Sequence, residues 1–392
     1  MIPVCEALDH LFALADLVPS ETVPLGQAAG RVLAASVSAK RTQPPFAASS
    51  MDGYALKGIE ADRHAQFRIV GESAAGHRWH GTLKPGQTVR IFTGAPVPDG
   101  ADKVVIQEEV TRSGDTISIT GDPGPKDNIR PAGVDFTQGA PLKAPRRRLS
   151  PGDIALLAAM NVAEVPVRRA PVVALIATGD ELVMPGETPG PDQIIASNTF
   201  GLAAMLGRIG AAPRILPIAR DSEASLRTVF WLARDADLIV TIGGASVGDH
   251  DLVAHVTGEL GMARAFYKVA MRPGKPLMAG RLNGIPLVGL PGNPVSAMVC
   301  GTVFLTPMLN AMLGLGHAPA PRAALPLGAP LAPNGPREHY MRAMIGEGRV
   351  ADAGAQDSSL LSVLARANAL IVRPPNDPAR TPGDSVDVIR LD

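Results

Sequence analysis

Near the start of the chain, apolar residues recur at spacings of three and four. Val4, Leu8, Leu11, Phe12 and Ala15 form one stripe with Glu6, Asp9 and His10 off it, which predicts a helix ending before Pro19. After a short apolar patch at Val32 and Leu33, the stretch RTQPPFAASS sets adjacent prolines among small polar residues and marks a boundary near residue 45. From Phe67 to Val134 the pattern changes to short β-like runs. FRIVG, QTVRIF, DKVVIQ and DTISIT are separated by Gly, Pro and Asp turns, so a small β-rich insertion is expected. Helical spacing returns in SPGDIALLAAM, where Ser150 suits the cap, Pro151 the first helical position and Asp153 the acid of a capping box.

The pattern is clearest over residues 171–318. PVVALIA is a continuous apolar run, as in a strand buried on both faces. A helix follows, capped at Ser197 or Asn198, with Leu202, Met205, Leu206 and Ile209 on one stripe. Then come RILPIA, a helix opened by Asp221 with Leu226, Val229, Phe230 and Ala233 inward, and DLIVTI. Strand and helix alternating at this spacing predict a parallel sheet with helices on both faces. From about 319 the Pro/Ala-rich APAPRAALP reads as a linker, and ALIVRP and SVDVIRL as strands of a small closed β-module.

Composition narrows the function classes. A length of 392 residues predicts two to four domains, and 37 basic against 37 acidic residues remove the bulk-charge argument for nucleic-acid binding. With 46% hydrophobic and 19% charged residues the chain can bury several cores. No apolar run reaches the ~18 to 20 residues that span a bilayer, and MIPVCEALDHLF has no basic leader, so a cytoplasmic protein without membrane contact is expected. Cys5 and Cys300 are too far apart for a disulfide framework or a structural zinc site, and read as two buried thiols. The basic run Arg146 to Arg148 reads as a solvated turn.

In an open α/β sheet, ligands bind beyond the carboxyl ends of the strands. Four polar loops fall at or near such ends. TGDEL (178–182) presents Asp180 and Glu181 after a turn at Gly179. GGASVGDHD (243–251) offers Gly243, Gly244 and Gly248 for close backbone approach, Ser246 as donor, then Asp249 and Asp251. MRPGKP (271–276) sets Arg272 and Lys275 around Gly274 between prolines, and LPGNPVSAM (290–298) has Gly292, Asn293 as N-cap and Ser296 in the first helical turn. GGASVG lacks the Lys-Ser/Thr ending of an ordinary P-loop. Amides with Arg272 and Lys275 suit a multiply charged anion, and Glu181 with Asp251 suits Mg²⁺, which is the equipment of phosphoryl-transfer chemistry. His250 and His255 have no evident catalytic partner. SSMDGYAL (49–56), IFTGAPVPDGAD (91–102) and NIRPAGVDF (128–136) read by spacing alone as turns, the last placing Arg130 and Asp135 together.

The ordered set SSMDGYA, IFTGAPVP, NIRPAGVD, ATGDEL, SN, RD, GGASVGDHD, RPGKP, LPGNPVSA and QDSSLL resembles the molybdopterin molybdenumtransferase family, including the enzymatic C-terminal part of gephyrin, over nearly the whole chain. The resemblance implies a multi-domain α/β plus β fold: an elongated first domain from residues 1–45 and 137–170, a β-rich insertion over 46–136, an αβα domain over 171–318 and a C-terminal β-barrel over 319–392. It implies a homodimer with a composite active site, and transient contact with other cofactor-biosynthesis proteins. It also implies that molybdenum from molybdate enters adenylylated molybdopterin with Mg²⁺ and release of AMP. Carried over, Ser246, Arg272, Lys275, Ser296, Arg342 and Ser358 form the molybdate site. Glu181, Asp221 and Asp251 are the metal and nucleotide-proximal acids, and Asp52, Thr93, Arg130 and Asp135 are contributed across the dimer. The chain departs from the family with Arg272 where Lys is usual and Asp357 where Gly is usual. Molybdopterin adenylyl transfer and a gephyrin-like scaffold stand as the alternatives.

Overall fold

A computed structural model describes residues 1–142, 146–244 and 252–391. Its organising element is a six-stranded sheet in the order Ala212–Ile215, Val172–Ala177, Leu238–Ile242, Ile285–Leu290, Met278–Leu282, Ala263–Tyr267. The first four strands pair in parallel, and the last two pairings are antiparallel. Val172–Ala177 and Leu238–Ile242 are inner strands whose residues are almost all buried, which is why both read as unbroken apolar runs. One face packs Leu202 and Leu206 of Asn198–Arg208 with Val303, Phe304 and Leu309. The other packs Leu226, Val229 and Phe230 of Glu223–Leu232 with Val256 of Leu252–Glu259.

The N-terminal helix is Val4–Leu14, and Ala7 joins Val4, Leu8 and Leu11 in the buried stripe. This stripe belongs to the core of the α/β sheet. A separate core joins Val23, Ala28 and Ala39 to Leu142, Leu157 and Val165, residues from either side of the β-rich segment. Strands Ser20–Pro24 and Glu164–Arg168 pair antiparallel within it. Between these stretches lies a second six-stranded sheet, ordered Lys103–Ile106, Gly53–Leu56, Gln87–Ile91, Gln66–Ser73, Thr116–Ile119, Val110–Ser113. Asp52-Gly53 therefore does not form an isolated turn: Gly53 opens an inner strand, where a Cβ would lie 2.0 Å from the carbonyl oxygen of Val105.

In the C-terminal sheet, Met271–Arg272, Glu338–Gly346, Ala369–Arg373, Ser385–Arg390 and Ala323–Pro326 run in order, with Arg349–Asp352 also paired to Glu338–Gly346. Leu327 bridges Val350, which links the two ends of this curved sheet. Its first strand, Met271–Arg272, comes from the MRPGKP loop of the α/β sheet, so the two units are joined through the candidate site.

Several expectations change. Ser222, not Asp221, caps Glu223–Leu232 and accepts from the Ser225 amide. The Arg146 to Arg148 run is not simply solvated. Arg147 pairs with Asp153, the acid of the capping box at Pro151–Ala159, and Arg148 is half-buried, donating to the carbonyls of Gly30 and Ile209. Cys5 is exposed while Cys300 is fully buried, and burial pushes the Cys300 thiol far up. One helical rod, Pro294–Met312, does have the length and apolarity to cross a membrane, with mean hydropathy 1.5, but 78% of that window is buried inside the fold. Pro307 lacks the amide that an unbroken α-helix needs, and the rod widens to a π-helical turn at Gly301–Leu305 just before it.

Candidate active site

Three parallel strand ends and one loop of the C-terminal sheet enclose a cavity of about 600 Å³. Thr178 and Glu181 follow Val172–Ala177, Gly243 and Gly244 follow Leu238–Ile242, and Pro291, Gly292 and Asn293 follow Ile285–Leu290. The segment Ile194 to Thr199, Pro276 and Ser359 also line it. Gly243 has φ 98°, and a Cβ there would lie 2.8 Å from the Thr178 carbonyl oxygen, so only glycine lets these two loops meet. Asn198 Nδ2 donates to the Gly292 carbonyl at 2.7 Å and fixes the third loop. Asp180 Oδ1 accepts from the Asp221 amide at 3.1 Å, and Arg220 donates to the carbonyls of Asp180 and Leu182. These contacts tie TGDEL to the corner that carries Asp221.

Asn293 precedes the helix Pro294–Cys300 in N-cap position, but its side chain makes no capping bond. Instead the Val295 amide donates to the Ser358 carbonyl at 3.1 Å. A first-turn donor expected to face an anion thus docks the QDSSLL loop onto the α/β sheet. Ser296 is buried at 3% exposure and Gly274 is buried, while Arg272 and Lys275 are exposed.

Arg342 is 1% exposed. Gln356 clamps its peptide, accepting from the amide at 2.9 Å and donating to the carbonyl at 3.0 Å, while the guanidinium Nη1 donates to the Leu360 carbonyl at 3.2 Å. Burial lowers the Arg342 pKa, and the negative charge of Asp357 opposes that shift. The Asp357 carboxylate is turned into its own loop, where Oδ1 accepts from the Ser359 hydroxyl at 2.6 Å and the Ser359 amide at 2.8 Å. Those two bonds hold Asp357 below the usual carboxylate range.

On the β-rich sheet, Asp52 Oδ1 accepts from the Thr93 amide at 2.7 Å and the Thr93 hydroxyl at 2.8 Å. The amide bond is the main cause of a depressed Asp52 pKa, followed by the hydroxyl. Arg130 is held in a short pairing of Ile129–Arg130 with Ala48–Ser49, and the Asp135 amide donates to Gln43. Among the described residues Arg130 and Asp135 form no ion pair, so their closeness in sequence does not make them a unit. Asp52, Thr93, Arg130 and Asp135 do not line the 600 Å³ cavity of this chain.

Ser246, Gly248, Asp249, His250 and Asp251 lie outside the described residues. Glu181 and Asp221 are exposed and enter no ion pair among the described residues. The metal-compatible group among the described residues is a different one, Glu223, His255 and Glu259, on the outer helices. Two features had no signal in spacing. Thr178 Oγ1 is buried against the cavity wall and has no hydrogen-bond partner among the described residues. His339 is 8% exposed on Glu338–Gly346 directly opposite Arg272.

Glycine-bearing strand-end loops around one cavity at the carboxyl ends of a parallel sheet are the arrangement of an α/β enzyme. Three family descriptions match in order: "MoeA N-terminal region (domain I and II)" over residues 2–161, "Probable molybdopterin binding domain" over 174–311 and "MoeA C-terminal region (domain IV)" over 324–391. The chain is 34% identical over 390 residues to the molybdopterin molybdenumtransferase of Nostoc sp., covering 95% of this chain and 89% of that protein. It is 37% identical over 364 residues to molybdopterin molybdenumtransferase 2 of Mycobacterium tuberculosis, covering 89% and 90%. The solved molybdopterin biosynthesis moea protein from Pyrococcus horikosii matches with a TM-score of 0.87 at 27% identity, covering 100% of this chain and 99% of that one. The chain belongs to the molybdopterin molybdenumtransferase family.

Proposed function

We propose that this enzyme inserts molybdenum from molybdate into adenylylated molybdopterin and releases AMP. The observation that carries the reading is the cavity itself: three strand ends of the α/β sheet and Ser359 of the C-terminal sheet line one space of about 600 Å³. Glycine-rich loops suit the phosphates of the adenylylated substrate, and Arg272, Lys275 and Arg342 with Ser296 and Ser358 suit a tetrahedral dianion. Seating of the Val295 amide on the Ser358 carbonyl supports one composite pocket over two separate sites.

Glu181, with Asp251, would hold Mg²⁺, and Asp221 would sit beside the nucleotide. The oxygen donors, and the exposed Glu181 and Asp221 with no ion pair among the described residues, fit that ion. Bound there, Mg²⁺ would neutralise charge on the phosphoanhydride. In this reading the protein is a cytoplasmic homodimer. Asp52, Thr93, Arg130 and Asp135 serve the partner's cavity. Separate cores in the first domain, the β-rich insertion and the C-terminal sheet support a division into four domains, while the core of the αβα domain also takes in the helix Val4–Leu14 and Tyr340, Leu370 and Val372 of the C-terminal sheet.

Purified protein given adenylylated molybdopterin, molybdate and Mg²⁺ should release AMP in a molybdate-dependent way. Asp52→Asn should lower that rate by about 10²-fold, the scale of one lost active-site electrostatic contact, without changing the oligomer. AMP release indifferent to molybdate sinks the proposal. ATP consumption with pyrophosphate release would instead assign adenylyl transfer to the αβα domain.

A further inference from the structure

A row of side chains crosses the C-terminal sheet where it meets the MRPGKP loop. His339 lies opposite Arg272 in the parallel pairing and opposite Arg373 in the antiparallel one, and opposed residues project from the same face. Arg337, just before the strand, donates to the Met271 carbonyl at 3.3 Å. Arg342, three residues beyond His339, alternates to the other face. The nearby acids are already engaged. Asp377 pairs with Arg373 and Arg380, Glu338 accepts from Arg322 and the Tyr340 hydroxyl, and Asp357 is bonded to Ser359. Arg272 and Arg337 therefore have no carboxylate partner among the described residues, and they flank an imidazole that makes no side-chain hydrogen bond among them.

We propose that His339 couples oxyanion binding to the uptake of one proton, neutral in the empty site and protonated when a tetrahedral dianion lies against Arg272. The inference rests on the reading of Arg272 as an oxyanion residue, and it makes His339 a positioning residue. The proton comes from solvent and no covalent bond changes. In the free protein, burial first and then the charges of Arg272, Arg373, Arg337 and Arg342 hold His339 down to about 4. A dianion offsets those cations while the burial remains, so the imidazole rises from that value toward, and not past, its ordinary one of about 6.5. Between these two values proton and anion reinforce one another. Affinity is then highest at the acid end and falls as pH rises, by up to about tenfold per unit, levelling off above about pH 6.5.

The test uses the full chain with molybdate, and with sulfate as a dianion that takes up no proton in this range. Calorimetric titrations near pH 6 in two buffers of different ionisation enthalpy measure the protons taken up, and ring NMR follows the histidine of lowest midpoint among the eight. The expected result is uptake of a fraction of a proton and a rise of about one unit or more in that midpoint on saturation. His339→Gln should abolish the uptake and flatten the affinity between about pH 5 and about pH 7. Binding that depends on Arg272 but leaves the ring midpoint unmoved overturns the inference alone. Binding unchanged in Arg272→Ala overturns the site reading and the inference with it. The wild-type ring titration decides the matter even where the variant does not fold.

Discussion

Arg342 and Arg373 occupy adjacent strands of one sheet and are almost equally withdrawn from water, at 1% and 2% exposure. Their surroundings differ. Arg373 pairs through Nε with Asp377, and its Nη1 and Nη2 donate to the carbonyls of Ala332 and Pro378 at 3.2 and 2.7 Å. Among the described residues Arg342 has one such contact from its guanidinium, the Leu360 carbonyl. A guanidinium carries five donors, so among the described residues the first uses three and has a carboxylate partner, while the second uses one and has none. Equal burial thus serves two ends. One arginine braces the fold, and the other, in the proposed oxyanion site, holds a charge with no acidic partner among the described residues.

The largest expected effect breaks the completed corner. Asp377→Ala leaves Arg373 buried and uncompensated, and should cost about 3–5 kcal/mol in denaturant unfolding while the folded fraction keeps its turnover. Unchanged stability would erase the distinction between the corners. Arg342→Ala should show the opposite balance, with molybdate-dependent AMP release lowered by about 10²-fold and a stability loss smaller than that of Asp377→Ala. If unfolding suffers more than turnover, Arg342 is a second brace. The smallest effect sharpens the comparison. Ser359→Ala removes the hydroxyl that holds the Asp357 carboxylate away from Arg342, and should weaken oxyanion binding by about threefold, read as a shift in half-saturating molybdate. The same bond fixes a pH sign. Asp357 is depressed in the folded chain, so its stabilisation is complete above the unfolded carboxylate value of about 4 and is lost as pH falls through the folded value. In Ser359→Ala that acid-side loss should be smaller and should finish at higher pH.

Much of the α/β sheet was legible in the chain. PVVALIA and DLIVTI are apolar because both faces of an inner strand are covered, and Ser150, Pro151 and Asp153 form the capping box that their order implies. Local rules failed where distant segments meet. The Arg146 to Arg148 run looks solvated until Asp153 and the carbonyls of Gly30 and Ile209 reach it. Asp52-Gly53 looks like a turn until Val105 demands glycine in an inner strand. His339 carries no spacing signal, because its neighbours Arg272 and Arg373 arrive from 67 residues before it and 34 after it in the chain.

Sequence alone determined the kinds of element, the order of the strand-end loops and, through ten ordered motifs, the family, since periodicity, capping and turn chemistry are properties of neighbouring residues. Tertiary structure alone decided which polar groups are already satisfied. It docked the Ser358 carbonyl on the Val295 amide, turned Asp357 toward Ser359, completed Arg373 and left Arg342 open. Those outcomes depend on which backbone and side-chain atoms converge from distant parts of the chain. Burial then sets the cost of each donor left without a partner, and local residue order encodes neither quantity.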